Sequence, residues 1–137
     1  MKTKLNIKQT GIAAGLAAIV SAAINAVLFF IFKSANVFVV NVFIQPNEPL
    51  TIVQVVFSSI VPTLIASLVF FAFERFSNNG FRNFSILALV LLVASFVLPF
   101  MTIKDASISY HLALCLMHVV VTFSLLYFLS KSVKSNS

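Results

Sequence analysis

His111, Cys115, His118 and Thr122 follow one another at spacings of 4, 3 and 4 in an otherwise apolar run. At about 100° per residue, that spacing puts all four on one narrow stripe of a helix. Imidazoles relay protons, hydrogen-bond across helices and ligate metals, and a thiol is a soft metal ligand. A shared ion is disfavoured by reach: His111 and His118 stand about 10.5 Å apart along a helix axis at about 1.5 Å per residue. No other apolar run supplies His, Cys, Asp or Glu. A metal lacks a ligand set, and a haem lacks a second axial histidine. No cofactor is expected. Hydrogen bonding to nearby Ser, Thr, Asn or backbone groups is the simpler use of both imidazoles.

Other reactive patterns are scarce. The chain has no carboxylate pair in an apolar run, no P-loop, no Gly-x-Ser-x-Gly elbow and no dinucleotide fingerprint. Glu48, Asp105 and His111 could meet at one end of the molecule, although solvated loop charges explain the two carboxylates more simply. The single cysteine, Cys115, forms no intrachain disulfide and reads as a small buried hydrophobe.

The elements that must position these residues are membrane helices. Of 137 residues, 61% are hydrophobic and 9% charged, with mean hydropathy +1.10. A soluble domain carries about a quarter charged residues, so this chain has too few to cover a water-facing surface. Disorder requires the opposite composition. Four runs, residues 11–32, 51–73, 84–103 and 110–129, contain no Asp, Glu, Lys or Arg. Each is long enough for a hydrocarbon core of about 30 Å. A β-barrel needs shorter, alternating segments. A signal peptide at the start is rejected because its apolar region spans only about 7–15 residues, and the first run is longer. Short connections imply antiparallel neighbours. The expected fold is all-α: an integral membrane, up-down four-helix bundle forming one domain.

The net charge of +6 reflects topology. Lys2, Lys4, Lys8, Arg75, Arg82, Lys131 and Lys134 fall at one end of such a bundle, and only Lys33 and Lys104 at the other. By the positive-inside rule both termini are cytoplasmic. The cations flank apolar runs, so the lipid bilayer is their partner and nucleic acid is not.

Each run has its own polar or small residues. The first presents Gly11, Gly15, Ala18, Ala22 and Asn25 along one side. Gly11-x-x-x-Gly15 permits close helix approach, first of all within the chain, with homodimerisation as the alternative. Asn25 reads as a bond across helices. The second run holds Gln54, Ser58, Ser59, Pro62, Thr63 and Ser67, and Pro62 predicts a kink. Pro99 predicts a bend near the end of the third run. The stretch from Lys33 to Leu50 is too apolar to lie free in water; it extends the first helix, lies at the interface, or folds back over the bundle. Gln45-Pro46-Asn47-Glu48-Pro49 marks a rigid turn.

That turn, followed by Leu50, the Glu74-Arg75-Phe76 segment and Ala113-Leu114-Cys115-Leu116-Met117-His118 occur in an order that resembles a family of small bacterial four-helix membrane proteins. The family is a domain of unknown function, family 6069. The resemblance covers roughly residues 11 to 129, with the Met117-His118 pair as its most distinctive element. Cys115 and the wealth of phenylalanine depart from its pattern. The resemblance implies the fold and a bacterial plasma membrane, but no activity, substrate or cofactor.

The expectation is a non-enzymatic structural or accessory subunit, packing as a homo-oligomer or on another membrane protein. The alternative is a small-molecule or proton-linked binding or transport protein using a central cavity near His118. An intramembrane enzyme ranks third, for lack of a positioned acid, base or nucleophile. A polar cavity reaching His118 favours binding or transport, and a dry bundle favours packing.

Overall fold

The computed structural model describes residues 6–37, 43–45, 48–49, 51–102 and 107–135. Four helices dominate: α1 (Ile7–Ser34), α2 (Ile52–Phe76), α3 (Gly80–Thr102) and α4 (Ile108–Ser135). Two short strands, β1 (Phe43–Gln45) and β2 (Glu48–Pro49), pair antiparallel between α1 and α2. All four helices are long and apolar enough to cross a membrane. α1 packs on α2 and α4, α3 packs on the same two, and α2 touches α4 across the diagonal. This is the expected four-helix bundle, and the chain is a multi-pass membrane protein.

The helices outrun the apolar windows, because hydropathy registers the hydrocarbon span while helix ends are set by caps. Asn6 and Gln9 form a capping box that starts α1 before Gly11, whereas the box of Thr51 and Gln54 starts α2 at Ile52, level with its apolar run. Ser107 Oγ accepts from the Tyr110 backbone N–H at 3.2 Å and starts α4. At its other end α1 closes with a Schellman turn. Asn36 adopts φ 60°, Asn36 N–H donates to the Lys33 carbonyl, and Val37 N–H donates to the Phe32 carbonyl at 2.8 Å. Val37 then packs against the adjoining core. The chain therefore stops extending α1 at Ser34, which removes one of the three readings of the segment after Lys33. Gln45 pairs with Glu48, so the strands flank the expected turn; Pro46 and Asn47 lie outside the described residues. So do Lys2, Lys4, Lys104 and Asp105.

The interior has three levels. Near the termini, Ala13, Ala17, Phe70, Phe84, Leu125, Leu129 and Val133 form an apolar cluster, with Phe70 and Phe84 edge-to-face at 5.3 Å. Near the strands, Phe29, Val55, Tyr110, Ala113 and Met117 form a second. Between them run buried polar residues: Ser21 and Asn25 on α1, and Ser59, Thr63 and Ser67 on α2. Lipid removes the hydrophobic drive between helices, so small side chains and interhelical hydrogen bonds must hold them. Here the α1–α2 seam is built from Ala, Ser and Thr. Each hydroxyl on α2 donates back to its own helix: Ser59 to the Val55 carbonyl, Thr63 to Ser59, Ser67 to Thr63. α2 continues through Pro62 and α3 through Pro99.

The glycines behave differently from expectation. A methyl added at Gly11 or Gly15 would meet nothing within 4 Å, so neither marks a close approach inside the chain. The buried small residues of α1 are Ala13, Ala14, Ala17, Ala18, Ser21 and Ala22, so the glycine side is covered farther along, at Ala18, Ala22 and Asn25, and open at the two glycines themselves. The close approach is at Gly80, where an added Cβ would lie 2.6 Å from Glu74 Cα.

Candidate functional site

The four residues of the α4 stripe do not share one environment. His111 is buried and stacks on Phe100 of α3, with ring centroids 4.4 Å apart and planes 15° apart. Its Nδ1 lies 3.0 Å from the Ser107 carbonyl and donates to it. Cys115, half-buried, points its Sγ at the Phe96 carbonyl 3.8 Å away. Thr122 is half-buried. His118 is exposed, with Nδ1 2.8 Å from the Leu114 carbonyl. The stripe therefore divides: His111 and Cys115 turn to α3, and His118 does not. Among the described residues, no three of His, Cys, Asp and Glu are grouped to hold a metal ion. The proposed meeting of Glu48, Asp105 and His111 falls partly outside the described residues.

His118 instead stands at the mouth of a cleft of about 70 Å³, lined from α1 by Asn25, from α2 by Val55, Ser58 and Ser59, and from α4 by Leu114, Met117, His118 and Val121. Among the described residues, none of α3 lines it. Ser58 and His118, both exposed, form the rim, while Asn25, Val55, Ser59 and Met117 are buried beneath them. The volume admits a few waters or a small polar group, since one water occupies about 30 Å³ in the liquid.

Asn25 ties three helices at the floor. Its Nδ2 donates to Ser59 Oγ at 2.8 Å and to the Met117 carbonyl at 3.3 Å. The carbonyl can only accept, so the amide orientation is fixed by chemistry. Among the described residues Asn25 Oδ1 is then left buried without a hydrogen-bond partner, in a residue only 2% exposed. Native interiors pair the great majority of such atoms. The sequence placed Asn25 as a bond across helices. It could not show that the amide would be half satisfied, nor that Ser58 and Ser59 would meet His118.

A family of unknown function, DUF6069, matches residues 6–135. The chain belongs to that family. The match spans all four helices and both walls of the cleft, and agrees with the resemblance carried by the turn, the Glu74-Arg75-Phe76 segment and the Met117-His118 pair. DUF6069 membership brings no activity with it. No curated protein and no solved structure matches significantly.

Proposed function

We propose that this protein is a multi-pass binding protein of the bacterial plasma membrane, without enzymatic activity, that accommodates a small ligand against Asn25 and His118. The observation that carries this reading is Asn25, buried at the floor of a cleft whose rim bears an imidazole, with an Oδ1 that finds no hydrogen-bond partner among the described residues. A dry packing interface would have been served by any of the alanines around it. Both termini are assigned to the cytoplasm, supported by exposed Lys8, Arg75, Arg82 and Lys131 at the termini end against Lys33 at the other.

Native mass spectrometry from mild detergent tests the reading. The wild type should carry a small molecule that Asn25→Leu releases while its helical circular dichroism is unchanged. Wild type and variant carrying the same adducts, or none, would overturn it.

A second reading, the accessory subunit, is favoured by one observation: Gly11 and Gly15 leave room on the outside of α1 where a partner helix could approach. It requires a co-purifying protein or a second copy that Gly15→Leu displaces.

A further inference from the structure

The hydrogen bonds around the cleft account for every donor in it. Both hydrogens of Asn25 Nδ2 are taken, by Ser59 Oγ and the Met117 carbonyl. Ser59 Oγ donates to the Val55 carbonyl, and Ser58 Oγ donates to the Gln54 carbonyl. His118 Nδ1 faces the Leu114 carbonyl, which only accepts, so the ring proton of a neutral imidazole sits on Nδ1 and Nε2 carries a lone pair. Pro62 also deprives the Ser58 carbonyl of its usual helical donor. The unmatched groups on the lining residues are therefore acceptors: Asn25 Oδ1, the Ser58 and Ser59 lone pairs and, on a neutral ring, His118 Nε2. Whatever binds there must donate.

Three further facts narrow the donor. None of the eight lining residues is Asp or Glu, so a cation would surrender its hydration with no countercharge to replace it. A neutral donor fits. The rim also lies deep along the helices: His118 is ten residues from the start of α4, about 15 Å at about 1.5 Å per residue. α2 and α4 expose Phe57, Val61, Leu112 and Leu116 on their outer surfaces, so hydrocarbon rather than water surrounds them. Finally, about 70 Å³ admits a head group but not a body, which must lie along Val55, Leu114, Met117 and Val121. An amide head would bring a strong carbonyl acceptor with nothing to meet it.

We propose that the cleft takes the hydroxyl end of a neutral, membrane-dissolved alcohol, which donates its O–H to Asn25 Oδ1 while its apolar chain lies over the α2–α4 flank. This rests on the binding reading above and names the ligand class for the same site.

Photolabelling with a diazirine-bearing octanol, on the full chain in lipid nanodiscs, tests it. Adducts mapped by mass spectrometry should concentrate on residues 55–59 and 114–121 above the general labelling of lipid-facing positions. Excess octanol should compete, whereas octane and methyl octyl ether, which donate nothing, should not. Asn25→Leu should weaken the competition about tenfold, the effect of losing one net hydrogen bond. His118→Leu, at the exposed rim where folding is not threatened, should reduce it less. Competition by the ether equal to that by the alcohol would overturn the assignment, as would unchanged labelling in folded Asn25→Leu. If the wild type retains an Asn25-dependent small molecule yet octanol does not compete, the alcohol class fails and the binding reading stands. No retained molecule and uniform labelling would sink both.

Discussion

Asn25 and Ser59 meet 2.8 Å apart across the α1–α2 seam, and the direction of that bond determines the character of the site. Ser59 spends its proton on the Val55 carbonyl, so it must accept from the amide. The amide therefore turns its NH₂ toward α2 and α4 and leaves its oxygen buried without a donor. A hydroxyl that back-bonds within its own helix thus decides which end of a neighbouring side chain is left unpartnered among the described residues.

Asn25→Leu keeps the branching of the side chain while removing every polar atom. It loses two interhelical bonds, each worth about 0.6 kcal/mol on average in a membrane bundle. It also removes an orphan acceptor, whose burial costs about 1–3 kcal/mol. These terms oppose each other, so the stability read from thermal unfolding in detergent should fall between a loss of about 0.2 and a gain of about 1.8 kcal/mol. A loss well beyond that would make Asn25 structural glue and remove the reason to assign it to a ligand.

Glycine substitutions should invert the ranking that the Gly11-x-x-x-Gly15 spacing suggests. Gly15→Leu enters open space and should leave the unfolding temperature of the monomer unchanged. Gly80→Ala forces a methyl to within 2.6 Å of Glu74 Cα, a backbone atom that cannot swing aside. Overpacking of this kind costs about 1–3 kcal/mol. Circular-dichroism melts of both variants check the pair, and a Gly15→Leu melt below that of Gly80→Ala would reverse the conclusion.

The fold was legible because lipid solubility is a bulk property: four uninterrupted apolar runs leave little else for the chain to become. Facing was harder to read. In a soluble helix the apolar stripe points inward, but here Ile19 and Leu68 are 68% and 65% exposed, and hydrophobicity no longer marks the core. The usable signal was polarity at helical spacing. Ser59, Thr63 and Ser67, four apart on α2, do mark its buried face. The same logic held for His111 and failed for His118, because α3 covers the strand-side end of the stripe and leaves the middle open. The glycine motif failed for a related reason, since it reports where a helix could approach and not that one does.

Orientation can be checked at both ends of one helix in a Cys115→Ala background. Lys33→Cys, exposed at the strand end of α1, should react with a membrane-impermeant maleimide on intact cells. Lys8→Cys, exposed at the other end, should react only after lysis. The positive-inside rule predicts this order from the exposed cations. The reverse order would place both termini outside.

His118 is the residue whose replacement should separate stability from binding most sharply. Among the described residues its one hydrogen bond runs to the Leu114 carbonyl of its own helix, four residues back, and the ring is otherwise exposed at the rim. Removing it strands no buried partner on another helix, contrary to what a residue facing the bundle interior would imply. Exposed substitutions of that kind usually stay within about 0.5 kcal/mol. Both His118→Gln and His118→Leu should therefore melt with the wild type. Their ligand retention should differ: the Gln side chain carries an oxygen that accepts at the rim, whereas Leu offers no acceptor. Native mass spectrometry should find retention in the order wild type, Gln, Leu. If both variants melt normally and retain the ligand equally, His118 contributes no acceptor, and the site reduces to Asn25 and the α2 hydroxyls.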